Sequence, residues 1–336
     1  MFSFTALAFV ALLFNDQASA HAIQKRSSYP WNWVVAYGDE LSDNGSGSYL
    51  ANITGDPRDV YGFKTWTNGQ VAVSYLTEML GTQMGWDYAI GGDNGGAGIG
   101  ATVNAEYTPM PPHIFSVHDQ INWYINNGSS NIAKTMQFIW VGQNDLSNHT
   151  DAFWTGDPQN TDFATKISNY LSSEVSRLLQ GGAPAIFIAN IYPKHLAPVT
   201  PKYLCNLDNG PDAACNTTIS QWGEVITQAN SAIKSALDNL RLSSDQKSKI
   251  IYYDVFSYMS SLLNDPMLAE KNGITMPVDQ YCDGSHTSTL MKWDDCMVQG
   301  NANKYFWMSF TNPTTAVHKL VAGDMKRAID AHYASS

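Results

Sequence analysis

The residues best placed to do chemistry lie in four short segments of this 336-residue chain. Gly38-Asp39-Glu40-Leu41-Ser42-Asp43 follows an apolar run at 31–37, which sets carboxylates just beyond an expected strand. Tyr88-Ala89-Ile90-Gly91-Gly92 and Gly142-Gln143-Asn144-Asp145 stand at or just beyond the ends of apolar runs, and the fourth segment, WMSFTNPTTAVH, spans 307–318. A cleft carboxylate serves as general acid or base when its surroundings perturb its proton affinity, which singles out Glu40 and Asp93. Glycine N–H groups and the Asn144 amide can hold a developing oxyanion; their plainer roles are a tight turn and a loop cap.

Strands and helices must position these segments. Apolar, β-branched and aromatic runs recur at 33–37, 86–90, 136–141, 185–191 and 250–256, separated by stretches of helical periodicity. Within 161–180, Phe163, Ile167, Tyr170, Leu171, Val175, Leu178 and Leu179 mark one face, and Gly181-Gly182 stops the helix. Further helices are predicted over 68–80, with Thr67 or Asn68 as its cap, over 219–240 and over 314–332. The alternation implies an α/β fold whose parallel sheet is covered on both sides, with ligands bound beyond the carboxyl ends of its strands. The glycine-rich run 91–100 lacks the following helix and acidic partner of a dinucleotide site, and no cofactor is expected.

The four segments in this order, with Trp66-Thr67-Asn68-Gly69 between the first two, resemble the blocks of the SGNH or GDSL hydrolases. The resemblance covers nearly the whole mature chain and is strongest to the fungal secreted carbohydrate acetylesterases of the GDSL type. It implies a flavodoxin-like three-layer α/β/α fold with a central parallel sheet and a Ser-His-Asp ester hydrolase. In such a hydrolase the first block supplies the nucleophile and the last block supplies the base and its orienting carboxylate. The serine N–H, a second-block glycine and the third-block asparagine hold the oxyanion, each donor being worth on the order of 3 kcal/mol.

Carried over onto this chain, Gly92, with Gly91 as second choice, and Asn144 keep the oxyanion positions. The rest departs from the pattern. Glu40 stands at the nucleophile position. The last block holds one residue more between Trp307 and Pro313 than the family's WDxxHPT, so either Met308 or Ser309 falls at the aspartate position and Asn312 at that of the histidine. Ser42 and His318 match a second serine and a second histidine whose expected roles are structural, and nothing places His286 at the site. These losses imply an esterase-like protein without serine hydrolysis, in which the Glu40 carboxylate reaches the oxyanion pocket and is kept ionised by Gly92 and Asn144. Three functions remain open. One is binding of a glycan or acylated ligand, with Trp31, Trp33, Trp66 and Trp307 as stacking faces or, more simply, as core. The second is acid–base chemistry at Glu40 or Asp93, and the third is residual acetylesterase activity.

Composition narrows the setting. Residues 2–14 are apolar and uncharged, and Ala18-Ser19-Ala20 supplies the small residues of a secretory cleavage site. The expected organisation is a signal peptide at 1–20, a propeptide at 21–26 ending in the dibasic Lys25-Arg26, and one domain over 27–336. No later run is long enough to span a membrane. The net charge of −11 argues against nucleic acid as a partner. Four cysteines in a secreted chain suggest the short loops Cys205–Cys215 and Cys282–Cys296, although three pairings exist and a zinc site is the rival. Sequons stand at Asn44, Asn52, Asn127, Asn148 and Asn216; Asn44 and Asn148 lie so near the motifs that at least one is expected to stay bare.

Overall fold

The computed structural model describes residues 29–47, 64–92, 100–110, 114–149, 162–198, 200, 213–282, 296 and 300–334. The leader at 1–26, Asn52, Asp93, Cys205 and His286 lie outside the described residues. Five parallel strands form one sheet: β1 (Trp33–Gly38), β2 (Gln83–Asp87), β3 (Thr135–Trp140), β4 (Ala185–Ala189) and β5 (Ile250–Tyr253), in the order β2-β1-β3-β4-β5. This is the doubly wound flavodoxin-like order, whose ligand crevice opens between β1 and β3 at their carboxyl ends.

The helices are α1 (Ala72–Met79), α2 (Val117–Asn127), α3 (Gln143–Asn148), α4 (Phe163–Gln180), α5 (Ala213–Asp238), α6 (Ser244–Lys247), α7 (Val255–Asn264), α8 (Pro266–Lys271) and α9 (Thr315–Ala334). Strand side chains alternate between two cores, as period 2 requires. Val34 and Ala36 of β1, Phe138 of β3 and Phe187 of β4 pack on α1, α7 and α9. Val35 and Tyr37 of β1, Ile139 of β3 and Ile188 of β4 face α2, α4 and α5. The result is the expected three layers. On α4, Phe163, Ile167, Leu171, Val175 and Leu178 are buried, each stabilising by about 1.5 to 3 kcal/mol.

Several boundaries differ from the sequence reading, two of them at the site. The second strand ends at Asp87 instead of Ile90, because it is an edge strand with Trp86 exposed, and the apolar residues beyond it are already turning into the site. Their backbone still reaches β1, through Tyr88 N–H to Ala36 O and Ile90 N–H to Gly38 O. Helix α1 begins at Ala72, and neither Thr67 nor Asn68 caps it. Its cap comes from the far end of the chain. His318 Nδ1 accepts the Ala72 N–H at 3.2 Å, while Asn68 Oδ1 accepts the first N–H of α9, from Thr315, at 2.9 Å. Thr67 Oγ1 adds a bond to Pro313 O at 2.7 Å.

Cys282 and Cys296 form a disulfide around which Ala302 and Met308 pack. Cys215 is also disulfide-bonded. Asn127 and Asn216 are exposed and Asn44 is half-buried. Among the described residues no helix is long and apolar enough to cross a membrane, and no cluster of His, Cys, Asp and Glu is arranged to hold a metal ion.

Candidate functional site

The site forms where β1 and β3 end. Gln120 of α2 fixes the end of β1, receiving the Gly38 N–H at 2.9 Å and donating to Gly38 O at 2.9 Å. The chain then turns tightly, with Asp39 O accepting the N–H groups of Ser42 and Asp43, both at 3.0 Å, and Asp39 Oδ1 that of Leu41 at 3.0 Å. Asp43 ties this turn to the second segment by accepting the Gly91 N–H at 2.9 Å. Across the crevice, α3 follows β3 through Gly142 and presents Gln143 and Asn144 from its first turn.

Glu40 lies between these walls, 6% exposed. Its Oε1 accepts from Gln143 Nε2 at 2.7 Å and its Oε2 from Asn144 Nδ2 at 2.8 Å. Its own backbone N–H also bonds to the carboxylate. Two donors assigned by position to an oxyanion, the N–H of residue 40 and the Asn144 amide, are therefore turned on a carboxylate supplied by the chain itself. Gly100 closes the third side, where an added Cβ would lie 2.3 Å from Glu40 Oε2 and 3.1 Å from Asn144 Nδ2.

The glycine expected to complete the hole behaves differently. Gly92 is buried with a left-handed φ of +98°, yet no described hydrogen bond joins it to Glu40. The Gly91 N–H is spent on Asp43, and a Cβ there would meet the Trp66 indole. Gly100 is the glycine in contact with the carboxylate, and Gln143 is the second amide on it; the sequence reading named neither.

Electrostatics add groups which that reading did not weigh. Burial outweighs the attractive contacts and raises the Glu40 pKa; Lys194, Asn144 and the residue's own N–H pull it down, and Asp43 pushes it up. Burial, then the neighbouring Glu40, raise Asp39 well above the carboxylate range. Lys194, which follows β4, is itself buried; burial lowers its pKa while Glu40 and Asp39 raise it. Tyr192 is pushed up by burial and by the same two carboxylates, and its hydroxyl donates to Thr311 O at 3.2 Å.

The last segment meets this cluster only through Tyr192 among the described contacts. Asn312 O accepts from Met308 N at 2.7 Å and Ser309 N at 3.3 Å, and Ser309 Oγ accepts from Asn312 N at 3.1 Å, so 308–312 is a turn bonded to itself. Met308 faces the disulfide cluster. Neither acid nor base reaches Glu40 from here. Ser42 is fully buried beside Gly38, and His318 is held between α1 and α9 with burial lowering its pKa to about 3. Trp31, Trp66 and Trp307 are buried in the fold and offer no stacking face to solvent.

Asp145 anchors the loop that carries Gly100. It accepts from Val103 N at 3.0 Å and Thr108 Oγ1 at 2.8 Å, while Asn144 Nδ2 also reaches Ala101 O at 3.2 Å. Burial raises the Asp145 pKa to about 6.

No curated protein matches the chain. Among solved structures it is similar to the crystal structure of the lipase Lip_vut3 from a goat rumen metagenome, at 11% identity over 89% of this chain and 96% of that one, with a TM-score of 0.42. A model of the GDSL-like lipase/acylhydrolase family matches residues 34–310, and the chain, with its flavodoxin-like sheet and its four ordered segments, belongs to that family.

Proposed function

We propose that this chain is a secreted, single-domain member of the family that has lost ester hydrolysis and binds a glycan or acylated ligand at the old cleft. The observation that carries the loss is the seating of Glu40: its Oε2 takes the Asn144 amide N–H that a tetrahedral intermediate would need, while Gln143 holds its Oε1. An ester carbonyl arriving there meets a negative charge and no nucleophile. The ligand class follows from the resemblance to carbohydrate acetylesterases. Purified protein should neither turn over 4-nitrophenyl acetate nor be labelled by a fluorophosphonate probe. Titration with acetylated and plain oligosaccharides should give heat without product. Fluorophosphonate labelling at a single serine would overturn the loss of hydrolysis, and absence of heat with both sugars would overturn the ligand class.

A second reading has its own support. Glu40 is buried, has raised proton affinity and faces a buried lysine, which are the marks of a general acid or base. Any turnover found should then follow one ionisation that disappears in Glu40→Gln.

A further inference from the structure

We propose that Lys194 is the positioning residue that keeps Glu40 ionised and seated on the Asn144 and Gln143 amides, closing the site as a cation–carboxylate lock bridged by Gln143. The inference rests on the reading of the site as shut by Glu40 and adds what holds it shut.

Lys194 is 5% exposed, and a lysine that deep needs both hydrogen-bond partners and a compensating charge. Its backbone is pinned, with Lys194 O accepting from Thr200 Oγ1 at 2.7 Å and Ala197 N at 3.0 Å. Its ammonium donates to Gln143 O at 3.2 Å and to Ser147 Oγ at 2.5 Å, both neutral acceptors on α3. The compensating charge therefore comes across the site, from Glu40. Gln143 is bonded to both halves of the lock. Its carbonyl takes the lysine and its side-chain amide takes Glu40, so the two charges are registered to one residue in the first turn of α3.

The bonding of Glu40 favours the anion. Both oxygens accept N–H groups, and no acceptor for a carboxyl proton is among its described bonds. The charged groups facing Glu40 are Asp39 from the same turn, Asp43 from its end and Lys194 from the loop after β4, with the Tyr192 phenol alongside. Asp43 opposes ionisation of Glu40, and Lys194 is the cation among these described groups. Asp39 completes the balance as the protonated member. Its Oδ2 is buried without a partner, and burial together with the neighbouring Glu40 raises its proton affinity. A proton on Asp39 leaves Glu40 as the anion beside Lys194, with Asp43 bonded separately to the Gly45 and Gly91 N–H groups.

The test is a carboxyl-carbon NMR titration of glutamate-labelled protein, with the Glu40 signal assigned by its loss in Glu40→Gln. In Lys194→Met, which keeps most of the side-chain volume, the Glu40 midpoint should rise by about one pH unit or more, with the Asn144 side-chain amide protons moving upfield. An unchanged midpoint in folded Lys194→Met overturns the proposal. Should Lys194→Met fail to fold, Lys194→Met/Glu40→Gln decides: removing both charges should restore folding, because an unpaired buried charge is what destabilises the single variant. A double variant as unstable as the two single losses combined overturns the proposal too. Neither readout involves ester turnover or serine labelling, so failure here is distinct from failure of the proposed loss of hydrolysis.

Discussion

The Glu40 pocket and the 307–318 segment share an edge at Tyr192, but they handle buried polar groups in opposite ways. The pocket concentrates charge, with Asp39, Glu40 and Lys194 all buried around one glutamine. The segment is neutral: Ser309 and Asn312 bond within their own turn, and Asn68 and His318 exchange helix caps. A buried charge deprived of its partner costs about 3 to 5 kcal/mol, whereas a neutral cap costs about 1. Positions that the family resemblance assigns to one triad have thus been absorbed into two physically different kinds of scaffold.

Gly100→Ala should separate the two most sharply. The new Cβ would displace the Glu40 carboxylate from Asn144, and we expect a loss of roughly 3 to 5 kcal/mol in urea unfolding. Most of that loss should vanish in a Glu40→Ala background, where the closest contact is gone and Ile90 O at 3.0 Å and Asn144 Nδ2 at 3.1 Å are the next neighbours of the new Cβ. Equal losses in both backgrounds would mean that the pocket's sensitivity is steric and owes nothing to charge.

Acid should find the neutral region first. His318 has a folded-state pKa of about 3 against an ordinary 6.5, so the unfolded chain takes up its proton while the folded protein does not. The stability it contributes is complete above 6.5 and falls with pH toward 3, by about 3 kcal/mol at about pH 4. Asp145 runs the other way: its pKa, raised from 3.8 to about 6, contributes stability that is complete below 3.8 and lost as pH rises through 6. His318→Gln should flatten the acid limb measured by urea unfolding from about pH 7 to pH 4. A limb of unchanged slope would place the acid sensitivity elsewhere.

Asn68→Ala should have the smallest effect, about 1 kcal/mol, with no change in pH dependence. A larger loss accompanied by a change in Glu40 titration would show that the segment and the pocket are coupled, and the comparison would need redrawing.

The sheet and the long helices were legible because hydrophobic period and turn glycines declare them locally, and the four segments because they resemble the blocks of a known family. The Cys282–Cys296 bridge was legible from a short loop in a cysteine-even chain. What escaped was assembled from residues distant in sequence. Lys194 reads locally as a surface lysine beside His195; its one signal is that it follows the carboxyl end of an apolar strand, where such sheets place their sites. Gly100 was hidden in a run of glycines of which the nearer Gly92 matched a motif. Helix α1 was assigned a cap from its own flank, since sequence periodicity cannot show that the acceptor arrives from residue 318.

That exchange of caps bears on biosynthesis. The first N–H of α1 waits for His318, and α9 begins on Asn68, so some 250 residues separate partners that complete each other. On the ribosome the amino-terminal half can collapse around β1 and β3, but α1 has no docked end until the final helix has emerged. A chain released even one helix short would leave Ala72, Val73 and Leu76 without their cover, and a quality-control chaperone would see that face as unfinished.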